Sequence, residues 1–297
     1  MAILFITSSR LGDAVIASGA IERIRARYPG AKLTVACGAA AAGVFARLPG
    51  LERLIIFEKQ SLDRHWLSLW SRLVVQRWDL VVDFRGSALA YALPAKRRLI
   101  VRGGRRPGRR YQQIADALHL SPPPLPVVWT APQDRARAAA LLDGPALLGL
   151  GPTANWDGKI WPPERFVALA QDLALPRIAI FGGPGDAERA RAAPVLAGLP
   201  GAIDLVGALS VAEAAACLAR CALFVGNDSG LMHLSAAAGT PTLGLFGRSR
   251  ASEYAPAGKH VAYVAAPGPE GEAAMEGLRV EDVARAARDL LGVLAPA

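Results

Sequence analysis

Cysteine is scarce in this chain: Cys37, Cys217 and Cys221 are the only ones among 297 residues. An odd and small number argues against a disulfide framework. Cys217 and Cys221 stand one helical turn apart, but no further ligand residues cluster near them, so they read as small helix-packing residues. Histidine is also rare, with 4 in the chain. Aromatics make up 6% and do not interleave with the basic residues, which speaks against a base-stacking platform for nucleic acid. No apolar run approaches the roughly 18 residues that cross a bilayer. The opening Met1-Ala2-Ile3-Leu4-Phe5-Ile6 lacks the basic stretch and cleavage site of a signal peptide. It reads as a buried strand, and the cytoplasm is the expected compartment. No Asp-x-Asp pair is present.

Apolar residues are plentiful, at 52%, with 30 Gly and 22 Pro. That is a globular composition with a large core and many turns, and the length suits two domains. The formal net charge is +9. Much of the excess falls in one stretch without a single acid: Arg85, Lys96, Arg97, Arg98, Arg102, Arg105, Arg106, Arg109 and Arg110. Such a field attracts phosphate-rich partners, an acidic lipid headgroup or membrane surface among them.

Short apolar runs alternate with helical periodicity along the whole chain. The first cycle has strands at Ala2–Ile6, Lys32–Cys37, Leu54–Phe57, Leu80–Phe84 and Leu99–Val101. Its helix, Asp13–Tyr28, carries Val15, Ile16, Ala20, Ile21 and Ile24 on one stripe and ends at Pro29-Gly30. The stretch Ser121–Pro132, with Pro122, Pro123, Pro124, Pro126 and Pro132, reads as an inter-domain linker. A second cycle places strands at Ala146–Leu150, Arg177–Phe181, Ile203–Val206, Ala222–Val225 and Thr242–Phe246. Helices fall at Pro163–Leu173, Asp186–Leu196, Val211–Arg220 and Gly230–Ala238, and Val280–Leu291 closes the chain. Alternation of this kind predicts parallel sheets covered on both faces, with ligand sites at the carboxyl ends of the strands.

The turns that follow those strands carry the chemistry. Phe224-Val225-Gly226-Asn227-Asp228-Ser229-Gly230-Leu231-Met232-His233-Leu234 is a strand, a compressed polar turn and a helix start. The shape lets backbone amides face an anion, Asp228 accept from sugar hydroxyls or cap the helix, and His233 donate to a phosphate oxygen. Thr7-Ser8-Ser9-Arg10-Leu11-Gly12-Asp13 is neither a three-glycine dinucleotide turn nor a P-loop. Its Asp13 suits a helix cap or a general base equally. Lys159, before Trp161-Pro162 and a helix, can aim its ammonium at a diphosphate. In Gly182-Gly183-Pro184-Gly185-Asp186-Ala187-Glu188, either acid could hold ribose hydroxyls, and Asp186 could instead cap the helix. Arg248 could close over a phosphate or lie free on the surface.

Together these pieces resemble glycosyltransferase family 9, the ADP-heptose:lipopolysaccharide heptosyltransferases. Asp228-Ser229-Gly230-Leu231-Met232-His233-Leu234, followed by Gly239-Thr240-Pro241, resembles the family's Asp-Ser/Thr-Gly-x-x-His-Leu and Gly-Thr-Pro. Ser9-Arg10-Leu11-Gly12-Asp13 resembles its Ser-x-x-Gly-Asp turn, and Lys159-Ile160-Trp161-Pro162 its Lys-x-Trp-Pro. Departures are Leu231 in place of Pro, Arg248 in place of the Pro of Phe-Gly-Pro, and Gly151-Pro152-Thr153 in place of Pro-Gly-Ala.

The resemblance implies an α/β fold of the GT-B type, two Rossmann-like domains with parallel sheets facing a central cleft. Residues 1–132 would bind the acceptor and 133–279 the sugar nucleotide. The helix in 280–297 would pack back on the N-terminal domain. It implies an inverting transfer of heptose or a related sugar from an ADP-sugar to a lipopolysaccharide inner core, without an obligatory metal or other cofactor. Asp13 would be the general base and Lys159 would act on the donor diphosphate. Asn155, Lys159, Glu188, Leu209, Asp228, Ser229, Gly230 and His233 would line the donor site. Ser9, Arg10, Gly12, Arg97 and Arg98 would serve a phosphorylated Kdo-lipid A type acceptor at the cytoplasmic face of the inner membrane. A sugar-nucleotide epimerase or hydrolase of the same fold is the second reading, weakened by the few histidines. A non-catalytic module that binds anionic glycolipid is the third, weakened by the set Asp13, Lys159 and Asp228.

Overall fold

The computed structural model describes residues 1–58, 65–104, 106–144 and 147–292. Arg105 of the basic run and Ala146, the expected start of a strand, lie outside the described residues. The chain divides into two compact units, Met1–Trp129 and Thr130–Ala297. The proline-rich stretch therefore belongs mostly to the first unit.

The first unit runs β1 (Ala2–Ile6), α1 (Leu11–Arg27), β2 (Lys32–Gly38), α2 (Ala39–Phe45), β3 (Leu51–Phe57), α3 (His65–Leu73), β4 (Trp78–Asp83), β5 (Ala95–Ile100) and α4 (Arg110–Ala117). Its sheet has the order β3-β2-β1-β4-β5, and all the pairings are parallel. The central strands are apolar because both their faces are covered. On one face Leu4, Ile6, Ala36 and Val81 pack with Leu69, Leu73 and Trp78. The proline-rich stretch lies directly on α1. Ser18 Oγ accepts the amide of Val127 at 2.9 Å, and a Cβ on Gly19 would clash with the Leu125 carbonyl oxygen. Only glycine lets the two backbones approach so closely.

The second unit runs α5 (Pro132–Leu141), β6 (Leu147–Gly151), α6 (Pro163–Leu173), β7 (Arg177–Gly182), α7 (Asp186–Gly198), β8 (Ile203–Val206), α8 (Val211–Leu218), β9 (Leu223–Asn227), α9 (Gly230–Ala237), β10 (Thr242–Phe246), α10 (Ala251–Tyr254), β11 (Val261–Ala265) and α11 (Val280–Gly292). The strand order is β11-β10-β9-β6-β7-β8, again parallel. Numbered from β6, that is the doubly wound Rossmann order 3-2-1-4-5-6. Its direction reverses between β6 and β9, where ligands settle in such sheets.

Helix α11 buries Val283, Ala284 and Ala287 in the core of its own unit, against α6 and β11. Its apolar stripe covers sheet surface that would otherwise face water. Helix α1 begins at Leu11, with Arg10 in the extended N-cap conformation, so Asp13 is the third helical residue and not the cap. Likewise Gly185 with φ 107° precedes α7, and Asp186 is the first helical residue. The edge strands differ most. β5 begins at Ala95, four residues before the expected Leu99, and β11 has no counterpart in the sequence reading. β5 carries Lys96, Arg97 and Arg98 on exposed positions, as edge strands do to block further pairing, and that hides the strand pattern.

Candidate active site

Parallel strands bring every strand-to-helix turn of the second unit to one edge of its sheet. At the point where the strand order reverses, the turns after β6 and β9 meet. Lys159 Nζ donates to Asp228 Oδ2 at 2.6 Å. The carboxylate side chain is 6% exposed and the ammonium side chain 25%. His233 Nε2 stands 3.9 Å from Asp228 Oδ1, beyond hydrogen-bond length but within ion-pair range. Sixty-nine residues separate the lysine from the aspartate, so only the fold makes the pair.

What holds the lysine there is Asn227, the last residue of β9 and fully buried. Its Oδ1 accepts the amide of Trp161 at 3.1 Å, and its Nδ2 donates to Pro152 O at 2.9 Å. Both ends of the loop that carries Lys159 are thus tied to the strand next door. Trp161 is itself fully buried. Its indole donates to Leu278 O at 2.9 Å and meets the Phe166 ring edge-on at 5.0 Å. In the sequence Asn227 is only one residue of the polar run after β9 begins. Its partners are distant in sequence, and no local pattern marks them.

Ser229 is the N-cap of α9, yet its side chain makes no capping bond. Its Oγ is buried without a partner among the described residues. A buried hydroxyl without a partner is costly, and the first amides of α9 have no side-chain cap. A partnerless hydroxyl, uncapped amides and the positive end of a helix dipole therefore follow in the chain directly on Asp228, which holds the Lys159 ammonium. Such a helix start suits an anion.

The remaining donor-site candidates spread along the same edge. Glu188, on α7, accepts the amide of Gly183 at 3.1 Å through Oε2, closing the glycine turn after β7. Leu209 is half-buried on the turn after β8, and Asn155 is exposed on the loop after β6. Arg248 is exposed after β10. Among the described residues no three His, Cys, Asp or Glu gather as a metal-binding group.

The first unit has its own turn at the reversal of its strand order, between β1 and β4. Asp13, in the first turn of α1, is half-buried and accepts the Ser8 hydroxyl at 3.3 Å. Ser8 Oγ also accepts the Arg10 amide at 3.0 Å. Ser9 packs against Gly38 so tightly that a Cβ there would lie 2.5 Å from Ser9 Cβ. Arg10 is exposed, and Gly12 sits half-buried before Asp13. At the end of β4, the buried Asp83 ties down the turn that follows it. Its carboxylate accepts the amides of Arg85 and Ser87 at 2.8 and 2.7 Å and the Ser87 hydroxyl at 2.6 Å.

Two expected acceptor residues are elsewhere. Arg98 donates to Ala90 O, Ala95 O and Leu93 O, so its guanidinium staples the connection into β5. Arg97 pairs with Leu80 in the strand and reaches Tyr28 Oη at 3.4 Å. Neither stands at the carboxyl edge. Arg85 does, with its guanidinium over the rings of Phe57 and Trp66 at 5.4 and 5.0 Å. A basic run in a sequence does not reveal which carbonyls its members satisfy.

The model of glycosyltransferase family 9 (heptosyltransferase) matches residues 121–276, just over half of the chain. Lipopolysaccharide heptosyltransferase 2 of Salmonella typhimurium is 26% identical over 89% of this chain and 87% of its own. Lipooligosaccharide heptosyltransferase 2 of Haemophilus influenzae is 24% identical over 83% of each. The structure of E. coli ADP-heptose lps heptosyltransferase II superposes with a TM-score of 0.79 at 21% identity, covering 99% of both chains. That likeness is one of fold: an α/β chain with two parallel sheets, as the GT-B resemblance implied.

Proposed function

Because the chain belongs to glycosyltransferase family 9, the heptosyltransferase family, we propose that it is an inverting transferase. It moves a heptose from ADP-heptose to a phosphorylated inner-core lipopolysaccharide acceptor of the Kdo-lipid A type. The observation that carries this reading is the Lys159–Asp228 pair beside the uncapped start of α9 with its partnerless Ser229 hydroxyl. The names of the relatives, heptosyltransferases by description, support the same donor and acceptor classes.

The reaction follows from the residue types. An acceptor hydroxyl attacks the anomeric carbon as the bond from that carbon to the phosphate oxygen breaks. The hydroxyl proton passes to the Asp13 carboxylate. The charge that develops on the departing diphosphate goes to the Lys159 ammonium, the Ser229 hydroxyl and the amides at Gly230. Lys159 spends one N–H on Asp228 and keeps two for phosphate oxygens. Asp228 in turn holds the ammonium in place and offers its other oxygen to a sugar hydroxyl, with His233 alongside. Glu188 accepts from the ribose hydroxyls, and Asn155 and Leu209 line the donor. These groups supply the charge that a divalent ion supplies elsewhere, so no obligatory metal is part of the proposal.

On the acceptor side the proposal keeps Ser9, Arg10 and Gly12 and replaces Arg97 and Arg98 with Arg85 and Arg102, exposed at the carboxyl edge of the first sheet. No described helix is long and apolar enough to cross a membrane. The cationic edge supports work at the cytoplasmic face of the inner membrane, where acceptor phosphates and anionic lipids lie.

The test is product analysis by mass spectrometry with ADP-heptose, with and without a Kdo-lipid A acceptor. Transfer predicts that the acceptor gains one heptose and that ADP is released only when acceptor is present. ADP release or an altered ADP-sugar without acceptor would instead identify a hydrolase or an epimerase.

A further inference from the structure

Trp156 is an expensive residue to leave where it is. The residue is 48% exposed on the loop after β6, and its carbonyl accepts the amide of Lys159 at 3.1 Å. It therefore opens the 3-10 turn Asp157–Lys159 that delivers the ammonium. One face of the indole rests on Gly158. A Cβ on that glycine would lie 2.7 Å from ring atoms Cη2 and Cζ2. The glycine backbone is the floor beneath the ring, and the exposure lies on what remains of it.

The turn is fixed to α7 as well as to β9. Arg191 donates to Asp157 Oδ1 through Nε and Nη2 at 2.9 and 2.8 Å. Arg191 stands one helical turn from Glu188, so the two share one face of α7. The loop that bears Trp156 is thus anchored beside the acid proposed for the ribose, and it starts the turn that ends in the lysine proposed for the diphosphate. A flat apolar ring, backed on one side by Gly158 and standing between those two points, matches the flat face of a nucleoside.

We propose that Trp156 is a stacking platform for the purine-ribose end of the donor, with Gly158 kept bare so that the indole can lie flat. The inference deepens the reading of the donor as an ADP-sugar and rests on it. It makes the affinity for ADP depend on a ring that inorganic pyrophosphate does not touch.

Isothermal titration of the full chain with ADP and with pyrophosphate tests this on the wild type and on Trp156→Ala, Trp156→Phe and Gly158→Ala. The expected result is that Trp156→Ala weakens ADP binding by roughly five- to a hundredfold, the range of base stacking, and leaves pyrophosphate unchanged. Gly158→Ala, which pushes the ring off its floor, weakens ADP in the same selective way. Trp156→Phe retains most of the affinity but loses the quenching of tryptophan emission that ADP causes in the wild type. Equal weakening of ADP and pyrophosphate in Trp156→Ala would overturn the proposal, because the ring would then only shape the turn. Unchanged ADP binding in that variant would overturn it too. A wild-type chain that binds pyrophosphate but shows no preference for ADP would sink the nucleotide donor itself, and is distinguishable for that reason.

Discussion

The side chain of Asn227 accepts the backbone amide of Trp161 at 3.1 Å, inside a fully buried environment. Through that bond and its donation to Pro152 O, one amide side chain fixes the loop that carries the lysine of the site. The placement of the lysine in the proposed chemistry therefore depends on a residue that is given no step of its own.

Replacing Asn227 by Ala leaves a buried amide and a buried carbonyl unpaired, each costing about 1–3 kcal/mol. We expect a loss of stability of about 2–6 kcal/mol in chemical denaturation. The surviving folded enzyme should show a raised KM for the donor, because Lys159 is no longer held. An unchanged melting curve would mean that water replaces both bonds.

Removing Lys159 strands the nearly buried Asp228 carboxylate. Lys159→Met should lower stability, by about 1–3 kcal/mol, since the partly exposed ammonium is screened and the full cost of breaking a buried pair does not apply. Asp228→Asn in the same background should restore part of it, a positive coupling readable in a double-mutant cycle. Turnover should fall by about a hundredfold or more in Lys159→Met and should not return in the double variant. Full additivity of the two stability losses would contradict the pairing.

Burial pushes the Cys37 thiol up to about 12 and the Cys221 thiol to about 12. The Cys217 thiol is raised to about 11, by burial first and the nearby Glu213 charge second. The thiolate is the reactive form. Native protein at pH 8 should therefore resist alkylation by iodoacetamide, and denatured protein should take up three equivalents, one for each of its cysteines. Rapid labelling of any of these in the folded chain would show local opening.

Glu22 accepts from Arg25 at 2.9 and 2.6 Å and from the Trp129 indole at 3.1 Å. The Arg25 hydrogen bond is the main reason its carboxyl titrates below the usual range, despite a contrary push from burial. A carboxyl with a depressed pKa in the folded state adds stability above its unfolded pKa and loses it as pH falls through the folded one. Glu22→Gln should thus be less stable than wild type at pH 7, and the gap should close below the ordinary carboxylate range. Thermal melts from pH 7 down to pH 3 measure this. A gap independent of pH would assign the effect to shape, not charge.

The central strands were legible because burial on both faces leaves a plain apolar signature, as in β1, β4, β7, β9 and β10. The edge strands were not. β5 hides under Lys96, Arg97 and Arg98, and β11 has only half-buried or exposed residues. Helices α2 to α5 escaped as well: α2 is a short alanine-rich segment, and α4 and α5 are polar with few buried residues. At the candidate site, Lys159, Asp228 and Ser229 stand out in the sequence by their turns, since a residue at a strand-to-helix junction has its position fixed by local sequence. Their pairing across β6 and β9 does not, and neither does Asn227, because both depend on strand order. Trp156 gave no signal at all in sequence. Its meaning comes from the glycine beneath it and the clamps on either side.

The most direct measurement is turnover and ADP affinity of Asp13→Ala side by side with the wild type. The account predicts that heptose transfer is abolished while the dissociation constant for ADP stays the same, because Asp13 belongs to the unit that does not carry Lys159 and α9. Transfer at the wild-type rate in that variant would contradict a base at Asp13 and, with it, the proposed route of the proton.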